Sequence, residues 1–217
     1  MASIIQFNSF YPATSGTMGA AASVNDVLVI GCGSNTLNTA TATISGATAT
    51  MTSQQNKTGT GSFNNSLTML TGTVTAGGTP GINTSADSDM GFAAWIVRGL
   101  SSPTKNAGNG NFGTGNPLTA SITTSATCSI FTGYLNENGD NFTSWNGSLV
   151  GDSHTAGHAD AFAHQLGVTA TTFSPGANVT SNADNTVIVI ALPESGGGGS
   201  FQPAWGQNAT ATIMGVG

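Results

Sequence analysis

The amino-acid sequence predicts an all-β protein, an antiparallel β-sandwich of jelly-roll type with a Gly-rich C-terminal tail. Short apolar or alternating runs recur along the chain with turn residues between them, and none follows the 3.6-residue period of a helix. Only 6% of the residues are charged, against about 25% in ordinary soluble domains. The runs amount to roughly eight to ten short strands, a number typical of a sandwich or barrel.

Four runs in the first part of the chain predict strands of two kinds. DVLVIGC is nearly continuous in apolar residues and predicts a core strand, whereas TATATISGATATM alternates Thr with Ala or Ile. The Ser45-Gly46 pair in the middle of the alternating run predicts a hairpin turn. The predicted strand regions are residues 3–10, 26–32, 39–51 and 66–75.

The second part of the chain continues the same pattern. Residues 89–98, which include Trp95, form the strongest apolar run and predict a core strand. The Gly- and Asn-rich residues 101–117 predict a long loop. No repeat of fixed period is found. Further strands are predicted at residues 118–124, 126–135 and 185–192, the first two as a pair and the last as a core strand.

The chain is predicted to consist of a sandwich domain, residues 1–194, and a linker with a C-terminal arm, residues 195–217. The stretch SGGGGS has the composition of a flexible linker. The aromatic residues that follow it are predicted to anchor the arm on another subunit, with the glycines as its hinge. The residues predicted at this interface are Gly196, Gly199, Phe201 and Trp205.

Charge excludes two classes of partner. The three basic residues, Lys57, Arg98 and Lys105, form no cluster in a chain of net charge −6, so no nucleic acid partner is expected. An anionic membrane surface is excluded on the same ground, and no apolar run approaches the ~20 residues of a membrane span. The N-terminal stretch lacks the features of a secretory signal, which predicts synthesis in a cytoplasm without export.

The stretch GDSHTAGHADAFAHQLG contains all three histidines of the chain and two of its nine acidic residues. Candidate metal ligands are His154, His158 and Asp160, because imidazole and carboxylate suit zinc or a similar ion. No HExxH or comparable spacing is present, which favours a strand whose His/Asp face meets solvent or a subunit. In such a strand His164 shares a face with Phe162.

The sequence predicts neither enzymatic activity nor a cofactor. Asp152, Ser153 and His154 are neighbours, but adjacent residues of a strand point to opposite faces, and no GxSxG motif is present. Cys32 and Cys128 stand in apolar contexts and are predicted to be small buried residues, although a disulfide between them stays open.

The order of several motifs resembles a group of β-sandwich proteins from tailed-phage structural gene clusters. An early DVLVIGCGS strand precedes a Thr-rich stretch, MGFAAWIVRGL stands mid-chain, and DAFAHQLGVTATTFSP leads into NTVIVIALPES. Proteins of that group carry an early "gDvLvv" strand, a mid-chain "a.w.v.G" strand and a final "w.v.iaal.p" strand. The resemblance covers about residues 10–194; the final strand here lacks the usual aromatic residue and the tail is additional.

The resemblance implies a non-enzymatic virion structural role, as a head decoration, head fibre or tail-associated protein. A homo-oligomer in the virion, contacting capsid or tail proteins, is the implied state, and no catalytic residue is carried over. The alternative from the residues themselves is a carbohydrate-binding or adhesin-like module, in which Trp145 among Asn and Gly residues would contact a host-surface glycan.

Overall fold

The computed structural model describes residues 1–61, 64–87, 90–136, 142–146, 148–154, 160–180 and 185–196, with 153 and 154 described for their backbone alone. The described chain is all-β, as predicted, and every strand pair in it is antiparallel. A helix able to cross a membrane is not found among these residues.

The strands of the first half of the chain are β1 (Ser3–Phe10), β2 (Ser15–Thr17), β3 (Val27–Ser34), β4 (Ala42–Ser45), β5 (Thr48–Ala49), β6 (Thr52–Thr60), β7 (Asn64–Ala76), β8 (Gly81–Thr84) and β9 (Phe92–Arg98). Those of the second half are β10 (Ala107–Gly113), β11 (Leu118–Thr119), β12 (Ile122–Thr123), β13 (Cys128–Asn136), β14 (Phe142–Trp145), β15 (Val150–His154), β16 (Asp160–Val168), β17 (Thr172–Phe173), β18 (Gly176–Val179) and β19 (Asn185–Pro193).

Each half of the chain builds one large sheet and a small sheet. The first large sheet has the order β1-β9-β3-β7, and β5 and β6 both pair with the outer side of β7. The second large sheet has the order β10-β19-β13-β16-β15. The small sheets are β2-β8-β4 in the first half and β11-β18-β14 in the second, where β12 and β17 form an additional pair.

The two large sheets pack face to face around Trp95. Its buried ring lies 5.4 Å from the ring of Phe131 and 6.0 Å from that of Phe162, centroid to centroid, and both partners belong to the second large sheet. Edge-to-face arrangements of this kind are favourable for aromatic rings. The central core is completed by alternate residues of β3, β7, β9 and β19, among them Val29, Met69, Val97, Ile188 and Ile190.

The outer face of each large sheet is also apolar and is covered by the small sheet of its own half. Leu28, Ile30 and Ile96 pack with Ile82 of β8 on one side of the molecule. On the other side, residues of β13 and β19 pack with Leu118, Ile122 and Phe142. Strands buried on both faces need apolar residues at every position, which explains the continuous runs of β3, β9 and β19.

The two halves share one strand order. If β1, β9, β3, β7 and β6 are matched in turn with β10, β19, β13, β16 and β15, the large sheets agree strand for strand. The small sheet β2-β8-β4 then matches β11-β18-β14. Each half also has a cis X-Pro peptide bond between its first two strands, Tyr11-Pro12 and Asn116-Pro117. The sequence has no repeat of fixed period, so it did not predict this duplication.

A short motif in the sequence does mark the duplication. Pro80-Gly81-Ile82-Asn83 opens β8, and Pro175-Gly176-Ala177-Asn178 opens β18. The Pro80 carbonyl accepts the Met18 N–H and the Pro175 carbonyl accepts the Ala120 N–H, at 2.9 and 3.0 Å. The hydroxyls of Thr43 and Thr143 approach the carbonyls of Asn83 and Asn178. The motif therefore occupies the same structural place twice.

Three predictions about connections are wrong. Ser45-Gly46 joins β4 of the small sheet to β5 of the large sheet and is not a hairpin turn. The runs at 118–124 and 126–135 do not pair with each other, because β11 and β12 pair with β18 and β17. The predicted loop at 101–117 contains β10, whose glycines allow close approach to β6 but carry no strand signal.

The ring of Phe162 fills a slot left by two glycines. A Cβ atom on Gly31 would lie 2.4 Å from a ring carbon of Phe162, and one on Gly133 would lie 2.9 Å from the same atom. The two glycines are equivalent in the two halves, since Gly31 pairs with Met69 and Gly133 with Phe162, and each partner lies beside the matching bulge of β6 or β15. The close packing of the large sheets here depends on the missing side chains.

The carboxylate of Glu194 joins three segments at the end of the second half. Its Oε2 accepts the Ala2 N–H at 2.9 Å, and its Oε1 accepts the Gly167 N–H at 2.7 Å and the Ser129 hydroxyl at 2.9 Å. The backbone of Glu194 bridges Leu100, at the end of the first half. Burial by itself raises the pKa of Glu194, but these hydrogen bonds to the charged form hold it below its usual range.

Gly31→Ala is expected to destabilise the protein by about 1–3 kcal/mol, because the added methyl group displaces the Phe162 ring from a closely packed core. Urea unfolding measures the change. The control is Gly151→Ala, whose Cβ would lie 3.5 Å from the Trp145 ring in ordinary contact. Equal stability of the two variants would contradict the packing described for Phe162.

Replacing Glu194 by Gln is expected to lower stability most above about pH 4.3, the ordinary Glu pKa in an unfolded chain. The lowered pKa means that the stabilisation by the carboxylate is fully present above that value and is lost as the pH falls through the folded-state pKa. The difference in unfolding free energy between the two proteins should therefore shrink between pH 5 and pH 3. Urea titrations across this range check it, and a constant difference would refute the role of the charge.

Candidate functional site

The candidate functional site is a cluster of Trp95, Asp152 and His164 at the edge of the central core. Trp95 comes from the middle of β9 in the first large sheet. Asp152 and His164 come from β15 and β16, the last two strands of the second large sheet. The site therefore lies where the two large sheets face each other and both halves contribute to it.

Asp152 reaches this position through a β-bulge. Gly151 pairs with Ala163 and Ser153 pairs with Phe162, so Asp152 is the extra residue between two successive pairs. A bulge changes the direction of its side chain relative to a regular strand. Asp152 thus lies on the same side as His164, whose β16 neighbours in the alternation, Phe162 and Leu166, pack into the central core.

The carboxylate of Asp152 accepts hydrogen bonds from two rings. The indole Nε1 of Trp95 lies 2.9 Å from Oδ2. The Nδ1 of His164 lies 2.8 Å from Oδ1 and 2.7 Å from Oδ2. The side chains of Asp152 and His164 are 9% and 13% exposed, and the imidazole stacks on Phe131 with a centroid distance of 6.5 Å. Both polar side chains are therefore held almost without freedom.

The hydrogen bond to Asp152 determines the tautomer of His164. An ionised carboxylate can only accept, so the proton must be on Nδ1 and the lone pair of the neutral ring on Nε2. A histidine oriented in this way by a carboxylate is suited to accept a proton or to bind a metal through Nε2. Neither task can be completed by these two residues alone.

The groups needed for such chemistry are not found in the described part of the chain. No hydroxyl or thiol of the described residues forms a hydrogen bond with His164, as a nucleophile activated by this imidazole would. A set of three His, Cys, Asp or Glu side chains able to hold a metal is not present among the described residues either. The arrangement is that of a buried hydrogen-bonded cluster which fixes β15 against β9.

Two of the three candidate metal ligands fall outside the side chains that the structure describes. The backbone of His154 pairs with Ala161 at the end of β15, and its side chain is outside the description. His158 lies outside the described residues. Asp160 begins β16, is half-buried and pairs with Leu135. The residues that do meet, Asp152 and His164, belong to the same stretch of sequence but were not predicted as ligands.

The strand predicted around His164 does exist, and its residues Ala161, Phe162 and Ala163 are buried on both faces. Phe162 is fully buried among the aromatic rings of the central core, and Ala161 is buried against the small sheet on the opposite face. The expectation of a His/Asp face toward solvent or a subunit is therefore wrong for His164. The small alanines permit this close packing on the far side of the strand.

The predicted interface and glycan residues have different places. Gly196 is exposed at the end of the described chain, whereas Gly199, Phe201 and Trp205 lie outside the described residues. Trp145 ends β14 and is half-buried, with its ring 5.1 Å from that of Phe142. The indole Nε1 of Trp145 is buried and has no acceptor in the described structure.

Both cysteines are buried and unpaired, which confirms the prediction of small core residues. Cys32 packs in the core between the first large sheet and its small sheet, and Cys128 packs on the outer side of the second large sheet. Burial raises the pKa of both thiols, and the nearby Glu194 carboxylate adds to the increase for Cys128. Neither thiol is suited to act as a nucleophile.

The counterpart of the cluster in the first half shows that it is specific to one half. In the strand match, Asp152 corresponds to Gln54, which is also the extra residue of a bulge, between Ser53 and Gln55 of β6. Gln54 accepts the Lys105 N–H at 2.9 Å through its side-chain oxygen. The side of β15 on which Asp152 lies depends on this bulge. Sequence reasoning that assumed regular strand alternation could not predict the bulge, so it missed the role of Asp152.

Comparison of the chain with models of protein families, with curated proteins and with solved structures found no match.

Asp152→Ala is expected to destabilise the protein by about 1–3 kcal/mol, because it leaves the buried indole N–H of Trp95 without an acceptor. The same substitution should cost less in a Trp95→Phe background, where no indole N–H is present. Urea unfolding of the four proteins in this double-mutant cycle measures the coupling. Additive effects would show that the hydrogen bond does not contribute.

Proposed function

We propose that this protein is a non-enzymatic structural subunit of a tailed-phage virion, as a capsid decoration, head fibre or tail-associated protein. It acts through symmetric contacts with further copies of itself and with other capsid or tail proteins. The observation that carries the proposal is the tandem strand order of the two halves. The motif resemblance of the sequence to virion β-sandwich proteins supports it.

The strand order supports a jelly roll in each half. A jelly roll has eight strands in two sheets, ordered 1-8-3-6 and 2-7-4-5. If the short strands β5, β12 and β17 are left out and the equally short β11 is kept, each half has 1-8-3-6 in its large sheet and 2-7-4 in its small sheet. The fifth strand pairs beside the sixth instead of the fourth. Viral capsid proteins and lectins use this architecture.

The outer face of the first small sheet supports a role in subunit contacts. Its outward side chains are short, polar and uncharged, and they line a shallow groove of about 450 Å³. The cores of protein interfaces are depleted of charged residues, whose burial is costly. A face of this kind can be covered by a neighbour without burying a charge. Its outward residues are Ser15, Thr17, Thr43, Ser45, Gly81 and Asn83.

The C-terminal arm is proposed as a second contact between subunits, with Phe201 and Trp205 as its anchors. Ser195 belongs to the domain, because its N–H donates to the Gly99 carbonyl at 2.7 Å. Gly196 follows and is exposed. We therefore propose that the hinge of the arm begins at Gly196 and extends to Gly199.

Carbohydrate binding through Trp145 is the alternative, since lectins also use jelly rolls. The indole Nε1 of Trp145 is buried and its ring packs on Phe142, which favours an anchor for the loop over an exposed platform for a sugar ring. The proposal of a structural subunit is therefore better supported.

Removal of residues 197–217 is expected to reduce assembly while leaving the unfolding free energy of the sandwich unchanged within about 0.5 kcal/mol.

Native mass spectrometry and electron microscopy of the purified full-length chain should show a closed symmetric oligomer. A chain that stays monomeric at all concentrations, and that binds a glycan array through Trp145, would replace this proposal with the alternative. Trp145→Ala is the control that assigns such glycan binding.

A further inference from the structure

Asn109 and Gly110 of β10 form a hydrogen bond within one dipeptide. The N–H of Gly110 donates to Oδ1 of Asn109 at 2.8 Å. The nitrogen of the same side chain, Nδ2, donates to the carbonyl of Ser121 at 2.9 Å. Both contacts require the same orientation of the amide, with its oxygen toward Gly110. Asn109 is exposed, so water reaches this amide.

This contact joins the two groups that react when an asparagine is deamidated. In that reaction the backbone nitrogen of the following residue attacks Cγ of the asparagine and closes a cyclic imide. When a base removes the proton of Gly110, the lone pair left on nitrogen takes the direction of the former N–H bond, toward the Asn109 amide. Groups that are already held in contact react faster than groups that must first meet.

The equivalent asparagine of the first half provides an internal comparison. By strand register Asn8 of β1 corresponds to Asn109 of β10, since their partners Ala94 and Val189 occupy the same place in β9 and β19. Oδ1 of Asn8 accepts the N–H of Ser9 at 3.1 Å, in the same arrangement. The two sites differ in the residue that follows the asparagine, which is serine in β1 and glycine in β10.

Glycine after the asparagine favours ring closure. A Cβ atom on the attacking residue crowds the approach of its nitrogen to Cγ, and glycine has none. Ring closure turns the peptide plane between 109 and 110 and breaks one hydrogen bond of the ladder to β19. That hydrogen bond slows the reaction, but its net contribution is modest. Gly108 and Gly110 flank Asn109 and make the rotation easier.

We propose that Asn109 is a site of spontaneous deamidation in the folded protein, with the Gly110 nitrogen as the nucleophile. This nitrogen loses its proton to a base in solution and forms a bond to Cγ of Asn109. The Cγ–Nδ2 bond breaks, and Nδ2 takes up a proton and leaves as ammonia. Water then opens the cyclic imide at either of its carbonyls, which gives aspartate or isoaspartate. The proposal does not depend on a role in a virion.

The modification changes both the charge and the packing of β10. The carboxylate that replaces the amide has no hydrogen to donate, so the Ser121 carbonyl loses its donor and faces a negative charge. Isoaspartate also adds a carbon atom to the main chain between 109 and 110, which shifts the rest of β10 against β19. Deamidation therefore loosens the strand at one end of the second large sheet.

The sequence contains two further Asn-Gly pairs, at 138–139 and 146–147. The first lies outside the described residues. Oδ1 of Asn146 is buried and accepts no hydrogen bond in the described structure. The contact that holds the reacting groups together at Asn109 is therefore not present at Asn146.

Incubation of the folded chain in mildly alkaline buffer tests the proposal. Peptide mapping by mass spectrometry measures the conversion of each asparagine separately and identifies isoaspartate by fragmentation. We expect aspartate and isoaspartate at position 109, formed at least ~10-fold faster than at Asn8, where the Cβ of Ser9 crowds the attack. Conversion to aspartate alone would show direct hydrolysis and would overturn the ring mechanism.

The variant Ser9→Gly tests the role of the hydrogen-bonded arrangement. It places an Asn-Gly pair at the equivalent position of the first half, and conversion at Asn8 should rise to within ~10-fold of that at Asn109. Circular dichroism and urea unfolding establish that the variant is folded. An Asn8 that stays unreactive in this variant would show that the arrangement does not promote the reaction, and the proposal would be wrong.

Low concentrations of urea distinguish reaction in the folded chain from reaction in the unfolded chain. Well below the unfolding transition the rate at Asn109 should stay constant while the unfolded fraction rises. A rate that increases in proportion to the unfolded fraction would assign the reaction to the unfolded chain and overturn the proposal. Absence of conversion in the folded chain, under conditions where the fully unfolded chain converts at 109, would overturn it as well.

Discussion

The fold depends on one constraint, that each large sheet is apolar on both faces. A sheet with two apolar faces needs two covers, and the large sheets can cover only one face of each other. The small sheets supply the remaining covers, on opposite sides of the molecule. The molecule is layered for this reason. The continuous apolar runs of β3, β9 and β19 are the sequence pattern expected of strands that are covered on both faces.

The same constraint explains why the protein needs few charged residues on its surface. Most long strands lie between two layers, so the water-exposed surface is left to the small sheets, the edges and the turns, where Thr, Ser and Asn serve. Some of the charged side chains connect separate segments of the chain. Arg98 pairs with the buried Asp26 through two hydrogen bonds, at 2.8 and 2.9 Å, and Glu194 connects the two halves.

The sequence predicts the strands well and their partners poorly. β1, β3, β9 and β19 were found within one to three residues at either end, because continuous or alternating apolar runs depend on burial alone. β10 was missed, since AGNGNFG has the composition of a loop and becomes a strand through contact with β6 and β19. The Asp152–His164 pair needed knowledge of a bulge, and pairing between distant strands is not visible in strand alternation. The motif Pro-Gly-x-Asn, at 80–83 and again at 175–178, was the one feature noted here from which the sequence could have predicted the duplication.

The duplication within one chain has a consequence for the chemistry available at the centre of the molecule. By strand register Met69 corresponds to Phe162, Thr71 to His164 and Ile190 to Trp95. A pair of identical chains would have to place the same residue at both members of each pair. Two tryptophans and two histidines would then compete for a volume that holds one of each. Covalent linkage of the halves removes the symmetry requirement, and one half can keep a polar cluster while the other stays apolar.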